Sequence, residues 1–247
     1  MQLIALPDFP LVAPGDDLAV LIRAALNRAR IELVDGDLLV VAQKIISKAE
    51  NRYVRLNDVV VGDQAKILAA ETGKDAHLVQ LILDESVAVL RHRPGVLIVE
   101  HRNGYVHANA GIDQSNIEQQ EDDPRALLLP KDADASAARL RSGLGGRVNV
   151  IVNDTAGRAW RNGVMGFALG TAGFEPVVDL IGQQDMFGNI LQVTQVAVAD
   201  ELAAAASFVM GQAAEATPVV LIRGAKLLLA DGGSANLIRA REHDLFR

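Results

Sequence analysis

The chain has 247 residues, half of them apolar but only 4% aromatic, and a net charge of −7. This length allows one large domain or two small ones, and the negative charge argues against nucleic acid as a partner, since that would call for a basic face. The absence of cysteine excludes disulfides, thiolate zinc sites and cysteine nucleophiles, and it is consistent with a reducing cytosol.

Neither a secretory leader nor a membrane-spanning segment is expected. The N-terminal residues MQLIALPDFPLVAPGDD lack a basic segment and meet prolines within the first ten positions. No uncharged apolar run approaches the roughly 20 residues that a membrane span needs. We therefore expect a soluble, cytoplasmic protein with no membrane partner.

The first elements are short and bounded by prolines and glycines. LIAL at 3–6 predicts a strand. Asp16 can cap a helix that runs to about Arg30, because leucine and isoleucine recur there at helical spacing. A turn and a buried strand over 38–41 are predicted next.

A helical region is predicted from about Asp63 to Leu90, broken near Gly73, with Asp75 as a second cap. The segment VLIVEHRNGYVHA (96–108) follows it. Two apolar runs around an Asn-Gly pair are typical of a hairpin, so this segment carries the clearest strand signal in the chain.

The second half alternates again, with strands predicted at 147–152 and 218–224 and helices at 135–143 and 197–210. Asp132 or Asp134 is expected to cap the first of these helices. Strands and helices are mixed without a repeat and without strict β-α-β order. We predict an α+β chain with mixed β-sheets and packed helices, in a single domain over 1–247 with a soft subdivision near 65–95.

Three common signatures of phosphate or acyl-transfer chemistry are absent from the sequence, namely GxxxxGK[ST], GxGxxG after a strand, and GxSxG. Any phosphate chemistry must therefore use another kind of site. Polar clusters at strand ends and in loops are the candidates.

The first cluster is AQKIISKAENR (42–52), directly after a predicted strand. Lys44 and Lys48 are four residues apart and share a face if the segment is helical. Two ammonium groups beside a strand end could neutralise a di- or triphosphate. The alternative is a solvated first turn with Glu50 and Arg52 as surface partners.

The second cluster lies in the loop HANAGIDQSNIEQQ (107–120). Asp113 stands there among neutral donors, including Ser115 and Asn116. A single carboxylate in such a loop can be presented to Mg²⁺ or Mn²⁺, which favour oxygen ligands. The alternative is an Asx-turn, in which Asp113 bonds its own backbone two residues on.

The third cluster is VNVIVNDTAGRAWRNG (148–163), in which a buried strand runs into residues 153–155. A carboxylate at a strand end beside a hydroxyl, followed by Arg158 and Arg161, suits a metal–phosphate site. A helix cap with exposed arginines is the alternative. Trp160 is expected to be a core or interface anchor.

Two further features are given ordinary structural roles. Asp185 and Gly188 are expected to form a tight turn. His101 and His107 lie six residues apart across the predicted hairpin, where they could flank a site, although surface strand positions are favoured.

Six segments occur together in an order typical of one family. They are GDDL (15–18), VVAQKIISKAENR (40–52), NAGIDQSN (109–116), LLLPKDADASAARLR (127–141), VNDTAGRAWRNG (152–163) and AVADELAAAA (197–206). The chain resembles the coenzyme F420-0:L-glutamate (γ-glutamyl) ligases, from about residue 3 to residue 224. The resemblance favours the functional interpretation of the first three clusters.

The resemblance implies a ligase that adds L-glutamate to coenzyme F420-0, using GTP and a two-metal site for Mg²⁺ or Mn²⁺, and it allows K⁺ as a further ion. The acceptor carboxylate would pass through an acyl phosphate, and later rounds would build γ-linked glutamates. The resemblance also implies an F420-0:gamma-glutamyl ligase-like fold and an intertwined homodimer with sites near the subunit interface.

Site residues are implied by the same resemblance, position by position. The guanine pocket would be lined by Phe9, Pro10, Leu11 and Val12, and the nucleotide contacted by Gln43, Lys44, Lys48 and Asn116. The metal ligands would be Asp113, Asp154, Thr155 and Gln212, with Asp113, Asp154 and Lys48 as the catalytic residues.

The sequence departs from the family pattern in two places. The turn GQAAEATP (211–218) contains Gln212 and no second glycine where some members have a glycine-rich, acid-containing turn, and Gln43 stands where members often have serine. These changes concern the last ligand of the second metal and the fit around the phosphates. Two alternatives therefore stay open: a paralogous amide ligase with another carboxylate acceptor, and a nucleotide-binding protein without ligase activity.

Overall fold

The computed structural model describes residues 1–119 and 122–246. Within these residues the strands are β1 Gln2–Ala5, β2 Leu38–Ala42, β3 Tyr53–Arg55, β4 Ser86–Arg93, β5 Val96–His101, β6 Val106–Ala108, β7 Arg125–Leu127, β8 Asn149–Arg158, β9 Arg161–Ala172, β10 Val178–Asp179, β11 Gln195–Val196 and β12 Val219–Arg223. The α-helices are α1 Leu18–Ala29, α2 Gln43–Ala49, α3 Asp63–Thr72, α4 Ala76–Asp84, α5 Ala133–Gly143 and α6 Val198–Met210. Single 3-10 turns cover Leu56–Asp58, Asn109–Gly111, Ser234–Leu237 and Arg241–His243.

A mixed five-stranded sheet forms the centre of the molecule, in the order β1-β12-β2-β8-β9. Its neighbours pair antiparallel except for β2 and β8, which are parallel. A second sheet has the order β4-β5-β6, and two-stranded ribbons join β3 to β7 and β10 to β11. This architecture confirms the prediction of an α+β chain with mixed sheets and packed helices.

The central sheet is covered on both faces because its strands alternate large apolar side chains. Leu39 and Val41 of β2 pack in one cluster with residues of α1 and α5. Their neighbours Leu38 and Val40 pack in another cluster, with α6. The sheet is therefore the middle layer of three, and its strands are buried over most of their length.

A third apolar cluster holds α3 and α4 against β5 and β7. Leu97 and Val99 of β5 and Ala126 of β7 are its fully buried strand residues. This part of the chain lies between β2 and β8 in the sequence. It brings the loop around Asp113 next to the central sheet.

Most elements lie where periodicity and capping signals place them. The predicted strands at 3–6, 38–41 and 218–224 are β1, β2 and β12, each within one or two residues, and the 96–108 hairpin is β5 and β6. The 197–210 helix is α6, and Asp132 caps α5 by accepting a hydrogen bond from the backbone N–H of Ala135. The turn at Asp185 is also confirmed, since the Gly188 N–H donates to its carbonyl.

Two predicted helix boundaries are wrong. Asp17, and not Asp16, caps α1, because its side chain accepts hydrogen bonds from the backbone N–H groups of Ala19 and Val20. The helical region predicted to reach Leu90 ends with α4 at Asp84, and β4 follows. Residues 86–93 pair antiparallel with β5, and this tertiary pairing overrides the local helical pattern.

The strand predicted at 147–152 is also longer than expected. It continues as β8 to Arg158, because β9 pairs with it as far as Arg161. Asp154 and Thr155 therefore lie inside a strand, neither at a strand end nor in a helix cap. Trp160, at the tip of this hairpin, is 88% exposed and is not a core residue.

Among residues 1–119 and 122–246, none of the helices has the length and apolar character needed to cross a lipid bilayer.

The contact between α6 and β9 depends on a residue without a side chain. A Cβ atom on Gly166 would lie 2.5 Å from the carbonyl oxygen of Ala203 and 2.5 Å from Cβ of Ser207. It would also lie 2.7 Å from Oδ1 of Asn153. Gly166 thus lets α6 approach the strand hairpin that carries Asp154.

We expect Gly166→Ala to lower the free energy of unfolding by about 1–3 kcal/mol, the usual cost of overpacking a close contact. The free energy is measured by urea denaturation. Gly157→Ala is the matched control in the same hairpin, since a Cβ atom there meets nothing within 4 Å. Equal stability of the two variants would contradict the close packing of α6.

Candidate functional site

Several chain segments leave the central sheet at one edge because of its strand directions. The end of β1 lies beside the start of β12, with Ala5 opposite Val220, and the start of β12 lies beside the end of β2. Ala42, the last residue of β2, is paired with Asn153 in β8. Residues 6–14, α2, 153–155 and 211–218 therefore converge at this edge.

A cavity of about 1040 Å³ opens where these segments meet. Its size lies at the upper end of the range for small-molecule sites, about 300–1,000 Å³. Every residue that the sequence analysis assigned to the nucleotide, the metals or catalysis lines this cavity: Phe9, Pro10, Leu11, Val12, Gln43, Lys44, Lys48, Asp113, Asn116, Asp154, Thr155 and Gln212. The structure thus brings all of these residues together.

The helix α2 presents two cations to the cavity directly after β2. Lys44 and Lys48 lie on one face, as their spacing predicts, and both are only partly exposed. Their neighbour Glu50 is turned away, toward Ser136 and Arg139 of α5. The segment is therefore a cavity wall, and the alternative of a solvated turn is wrong.

Asp113 is held by side chains of α2. Its carboxylate accepts a hydrogen bond from Nε2 of Gln43 at 2.9 Å, and Nζ of Lys44 lies 3.4 Å from the same oxygen. Its backbone forms a two-way bridge to Leu127. Because these partners belong to other segments, the alternative of an Asx-turn is wrong.

Burial raises the pKa of the Asp113 carboxyl above its ordinary value. The positive charge of Lys44 opposes this shift, whereas the negative charge of Asp154 adds to it. The pKa of Lys48 is lowered, first by its own burial and then by repulsion from Lys44. Partial burial and mutual charge therefore both act on the ionisable side chains of this cavity.

The loop after Asp113 is fastened to α2 by the same lysines. Nζ of Lys44 donates to the carbonyl of Ser115 at 3.1 Å, and Nζ of Lys48 donates to the carbonyl of Asn116 at 2.8 Å. The Asn116 amide in turn donates to the carbonyl of Ala213 at 3.3 Å. The partners of the two lysines are neutral oxygens of Ser115 and Asn116 and the one carboxylate of Asp113, which leaves positive charge for an anionic ligand.

Asp154 lies next to a buried histidine. Nε2 of His107 is 3.3 Å from a carboxylate oxygen of Asp154. Burial lowers the pKa of His107, but the neighbouring Asp154 carboxylate and the carbonyl of Ala108 outweigh it, so the pKa of His107 is raised. His107 and His101 are only 8% and 3% exposed, and the prediction of surface positions for them was wrong.

The turn 211–218 closes the cavity on the side of α6. Nε2 of Gln212 donates to Oγ of Ser207 at 3.0 Å, which leaves the amide oxygen of Gln212 for another partner. The Glu215 carboxylate accepts a hydrogen bond from the backbone N–H of Ala213 at 2.8 Å. This and neighbouring backbone N–H groups lower the pKa of Glu215, so the acid of this turn is used within the turn.

The donors around the cavity fit a hard divalent cation. Within the described part of the chain, no group of three or more His, Cys, Asp or Glu side chains is placed to enclose a metal ion. Mg²⁺, however, usually takes one or two carboxylates and completes its shell with phosphate oxygens and water. Asp113 and Asp154 supply such a pair on one cavity, with the Thr155 hydroxyl and the Gln212 amide beside it.

Comparison with known proteins shows the family of the chain. The family model described as F420-0:Gamma-glutamyl ligase matches residues 8–224. The chain belongs to the F420-0:gamma-glutamyl ligase family. The matched residues include every segment that lines the cavity, so the site described above is the site of a member of this family.

Several relatives of this ligase-family chain are proteins named Coenzyme F420:L-glutamate ligase. The one from Methanothermobacter thermautotrophicus is 46% identical, and the match covers 100% of this chain and 99% of the relative. The one from Archaeoglobus fulgidus is 43% identical over 96% of this chain and 93% of the relative. The one from Methanocaldococcus jannaschii is 40% identical over 89% of this chain and 88% of the relative.

Sequence reasoning missed several residues at the site of this ligase-family chain. Tyr53 of β3 and Arg125 of β7 also line the cavity, and Arg125 is paired with Asp123. Asn153 belongs to the third cluster but was given no role there; it lines the cavity as well, and its Oδ1 is buried and without a hydrogen-bond partner. Polar residues beside short apolar runs are the sole signal for these positions in the sequence, and many surface residues share it.

We expect Gln43→Leu to raise the pKa of Asp113 further, because the variant removes a hydrogen bond that favours the ionised carboxylate. The pKa is measured by carbon-13 NMR titration of the carboxyl groups. Asp185 serves as an internal control, since hydrogen bonds within its own turn lower its pKa. An unchanged Asp113 pKa alongside an unchanged Asp185 pKa would show that Gln43 does not bind Asp113 in solution.

Proposed function

We propose that this protein is a cytoplasmic ligase of coenzyme F420 biosynthesis. It adds L-glutamate to coenzyme F420-0, and γ-linked glutamates in later rounds, with GTP and a divalent metal. The observation that carries this proposal is one cavity that holds two lysines and two carboxylates from three separate segments, namely α2, the loop of Asp113 and β8. Membership of the ligase family and the names of its relatives support the choice of acceptor and amino acid.

GTP is proposed to lie with its phosphates against α2 and the loop after Asp113. Lys44 and Lys48 provide positive charge there, and partial burial strengthens their interaction with phosphate oxygens. The segment Phe9–Val12 borders the same cavity and provides apolar surface for the base. Asn116 stands between these regions and contributes an amide.

Asp113, Asp154, Thr155 and Gln212 are the residues that would hold Mg²⁺ or Mn²⁺, in a site for two ions, and K⁺ is allowed as a further ion. When bound, a divalent ion would neutralise phosphate charge and act as a Lewis acid on a phosphoryl oxygen. The protein's own contribution is to hold the two carboxylates in position. Gln43 and Lys44 set the position of Asp113, and the strand pairing of β8 with β9 sets that of Asp154.

The reaction needs activation of a carboxylate before an amide can form. A carboxylate oxygen of the acceptor attacks the γ-phosphorus of GTP, the bond to the β-phosphate breaks, and GDP leaves. The amine of glutamate then attacks the carbonyl carbon of the acyl phosphate, inorganic phosphate leaves, and the nitrogen loses a proton. Positioning and charge neutralisation account for both steps, so no nucleophile from the protein is required.

The purified protein with GTP, Mn²⁺, L-glutamate and F420-0 tests this function. Release of GDP that depends on glutamate, with a mass gain of one glutamyl unit on F420-0, supports it. Release of GDP only with another carboxylate acceptor would indicate a paralogous amide ligase. Binding of GTP without turnover on any acceptor would indicate a nucleotide-binding protein.

We expect Asp154→Ala to abolish turnover more completely than Lys44→Ala. Loss of a metal ligand should lower kcat/KM by more than about 100-fold, since even partners outside the first coordination shell change activity by 10–100-fold. Loss of one charged hydrogen bond to phosphate is worth about tenfold, and Lys48 remains. Both values come from steady-state GDP release, and near-normal activity of Asp154→Ala would rule out Asp154 as a metal ligand.

We also propose that the ligase is an intertwined homodimer with its sites near the subunit interface. Large apolar side chains stand exposed on two projecting hairpins: Trp160 at the tip of β8–β9, and Met186, Phe187 and Val193 between β10 and β11. Exposed apolar side chains clustered on a protein surface are typical of association sites. The second hairpin supplies most of them, and it is held in shape by Asp185, whose carboxylate binds the N–H groups of Phe187 and Asn189.

We expect Phe187→Asp to convert the dimer into a monomer, because a charge at a packed apolar contact is costly to desolvate. Sedimentation velocity measures the change. Val60→Asp is the matched control, an exposed valine outside these hairpins, and it should leave the dimer intact. A wild-type protein that sediments as a monomer would contradict the proposed assembly.

A further inference from the structure

His107 makes a contact with the site that the proposed chemistry does not use. It lies in β6, the edge strand of the second sheet, yet its Nε2 is 3.3 Å from Oδ2 of Asp154 in the central sheet. The distance is that of an ion pair and is longer than a charge-assisted hydrogen bond, about 2.7–2.9 Å. His107 is therefore a side chain of one sheet that reaches across to a proposed metal ligand in another.

Two further contacts, one at Nδ1 and one on the ring itself, fix the orientation of the His107 side chain. Nδ1 lies 2.9 Å from the carbonyl oxygen of Ala108, which can only accept a hydrogen bond. The ring also packs against Phe167, with ring centroids 5.6 Å apart. Phe167 is the β9 partner of Asp154, so the same strand pair carries the packing surface and the carboxylate.

Both ring nitrogens thus face oxygen atoms that accept hydrogen bonds. Each ring nitrogen therefore has one oxygen neighbour, the Ala108 carbonyl at Nδ1 and Oδ2 of Asp154 at Nε2. Nε2 is buried and has Asp154 as its polar neighbour. A buried polar atom without a full hydrogen bond is uncommon and calls for a functional explanation.

We propose that His107 is a positioning residue for Asp154: by holding Oδ2, it presents the other carboxylate oxygen to the divalent cation. The inference rests on the proposed function, in which Asp154 is a metal ligand. His107 would fix one carboxylate oxygen of Asp154, as Gln43 fixes one carboxylate oxygen of Asp113. Partners of this kind typically change metal affinity by 10–100-fold when they are removed.

The test is the affinity of the protein for Mn²⁺ alone, measured from the electron paramagnetic resonance signal of free Mn²⁺. His107→Phe keeps a flat ring against Phe167 and removes both nitrogens. We expect it to raise the Mn²⁺ dissociation constant about 10–100-fold. We also expect its kcat to recover at saturating Mn²⁺, so that the change lies in the metal requirement.

His101→Phe is the matched control. His101 is a buried histidine of the same hairpin, but its Nε2 faces Glu85 at 3.8 Å and not Asp154. This variant should bind Mn²⁺ as tightly as the wild type. His107→Gln, which keeps an N–H donor, should recover part of the affinity, and it serves as the second variant if His107→Phe does not fold by circular dichroism.

Unchanged Mn²⁺ affinity in folded His107→Phe, or in folded His107→Gln if the first variant is lost, would overturn the positioning role. The proposed metal site would then still stand if Asp154→Asn weakens Mn²⁺ binding. Mn²⁺ binding by the wild type that does not depend on Asp154 would overturn both the metal site and the role of His107. The failure of the inference and the failure of the proposed function are therefore distinguishable.

Discussion

The parallel pairing of β2 with β8 is the constraint on which the site depends. Ala42 pairs with Asn153, so the helix that carries the lysines starts beside the strand position of Asp154. Parallel neighbours run in the same direction, and in this register the last residue of β2 lies beside the middle of β8, next to Asp154. The antiparallel strand β12 then begins at that edge and β1 ends there, which adds the turn 211–218 and the segment after Leu6. A shift of this register by one residue would turn Lys44, Asp154 and the core side chains of both strands away from their partners.

Charge balance explains how such a site is tolerated in a folded protein. Two partly buried carboxylates repel each other, and this repulsion contributes to the raised pKa of Asp113. Lys44 brings a compensating charge next to Asp113, and the imidazole of His107 lies next to Asp154, whose carboxylate helps to raise the pKa of His107. Because a buried charge without a partner is costly, each acid is matched by a base from another segment. The same pairing leaves the lysines facing the cavity, where phosphate oxygens can replace the protein's own carbonyls.

Local sequence patterns predicted the elements that form from signals within their own segment. A cap and a helical segment were sufficient for α5, alanine- and leucine-rich composition was sufficient for α6, and continuous apolar runs were sufficient for β2 and β12. Long-range pairing was not visible in the sequence: β4 forms because β5 offers an edge, and β8 extends because β9 accompanies it. The residues of the site were grouped by family resemblance, since a solvated turn, an Asx-turn or a helix cap explained each motif alone. Contacts between sheets, such as His107 with Asp154, have no signature in spacing or composition.

The turn 211–218 shows how the departure from the family pattern fits the site. Its one acid, Glu215, is occupied by the backbone N–H of Ala213, and Gln212 donates to Ser207. The turn therefore offers the cavity a neutral amide oxygen and no further negative charge. With Asp113 and Asp154 already paired to cations, a third carboxylate would add repulsion that Lys44, Lys48 and His107 would have to balance. In the proposed function, a neutral amide in this position would suit a metal that completes its shell with the phosphates of its substrate. The turn is also tied to the loop of Asp113, since the Asn116 amide donates to the carbonyl of Ala213.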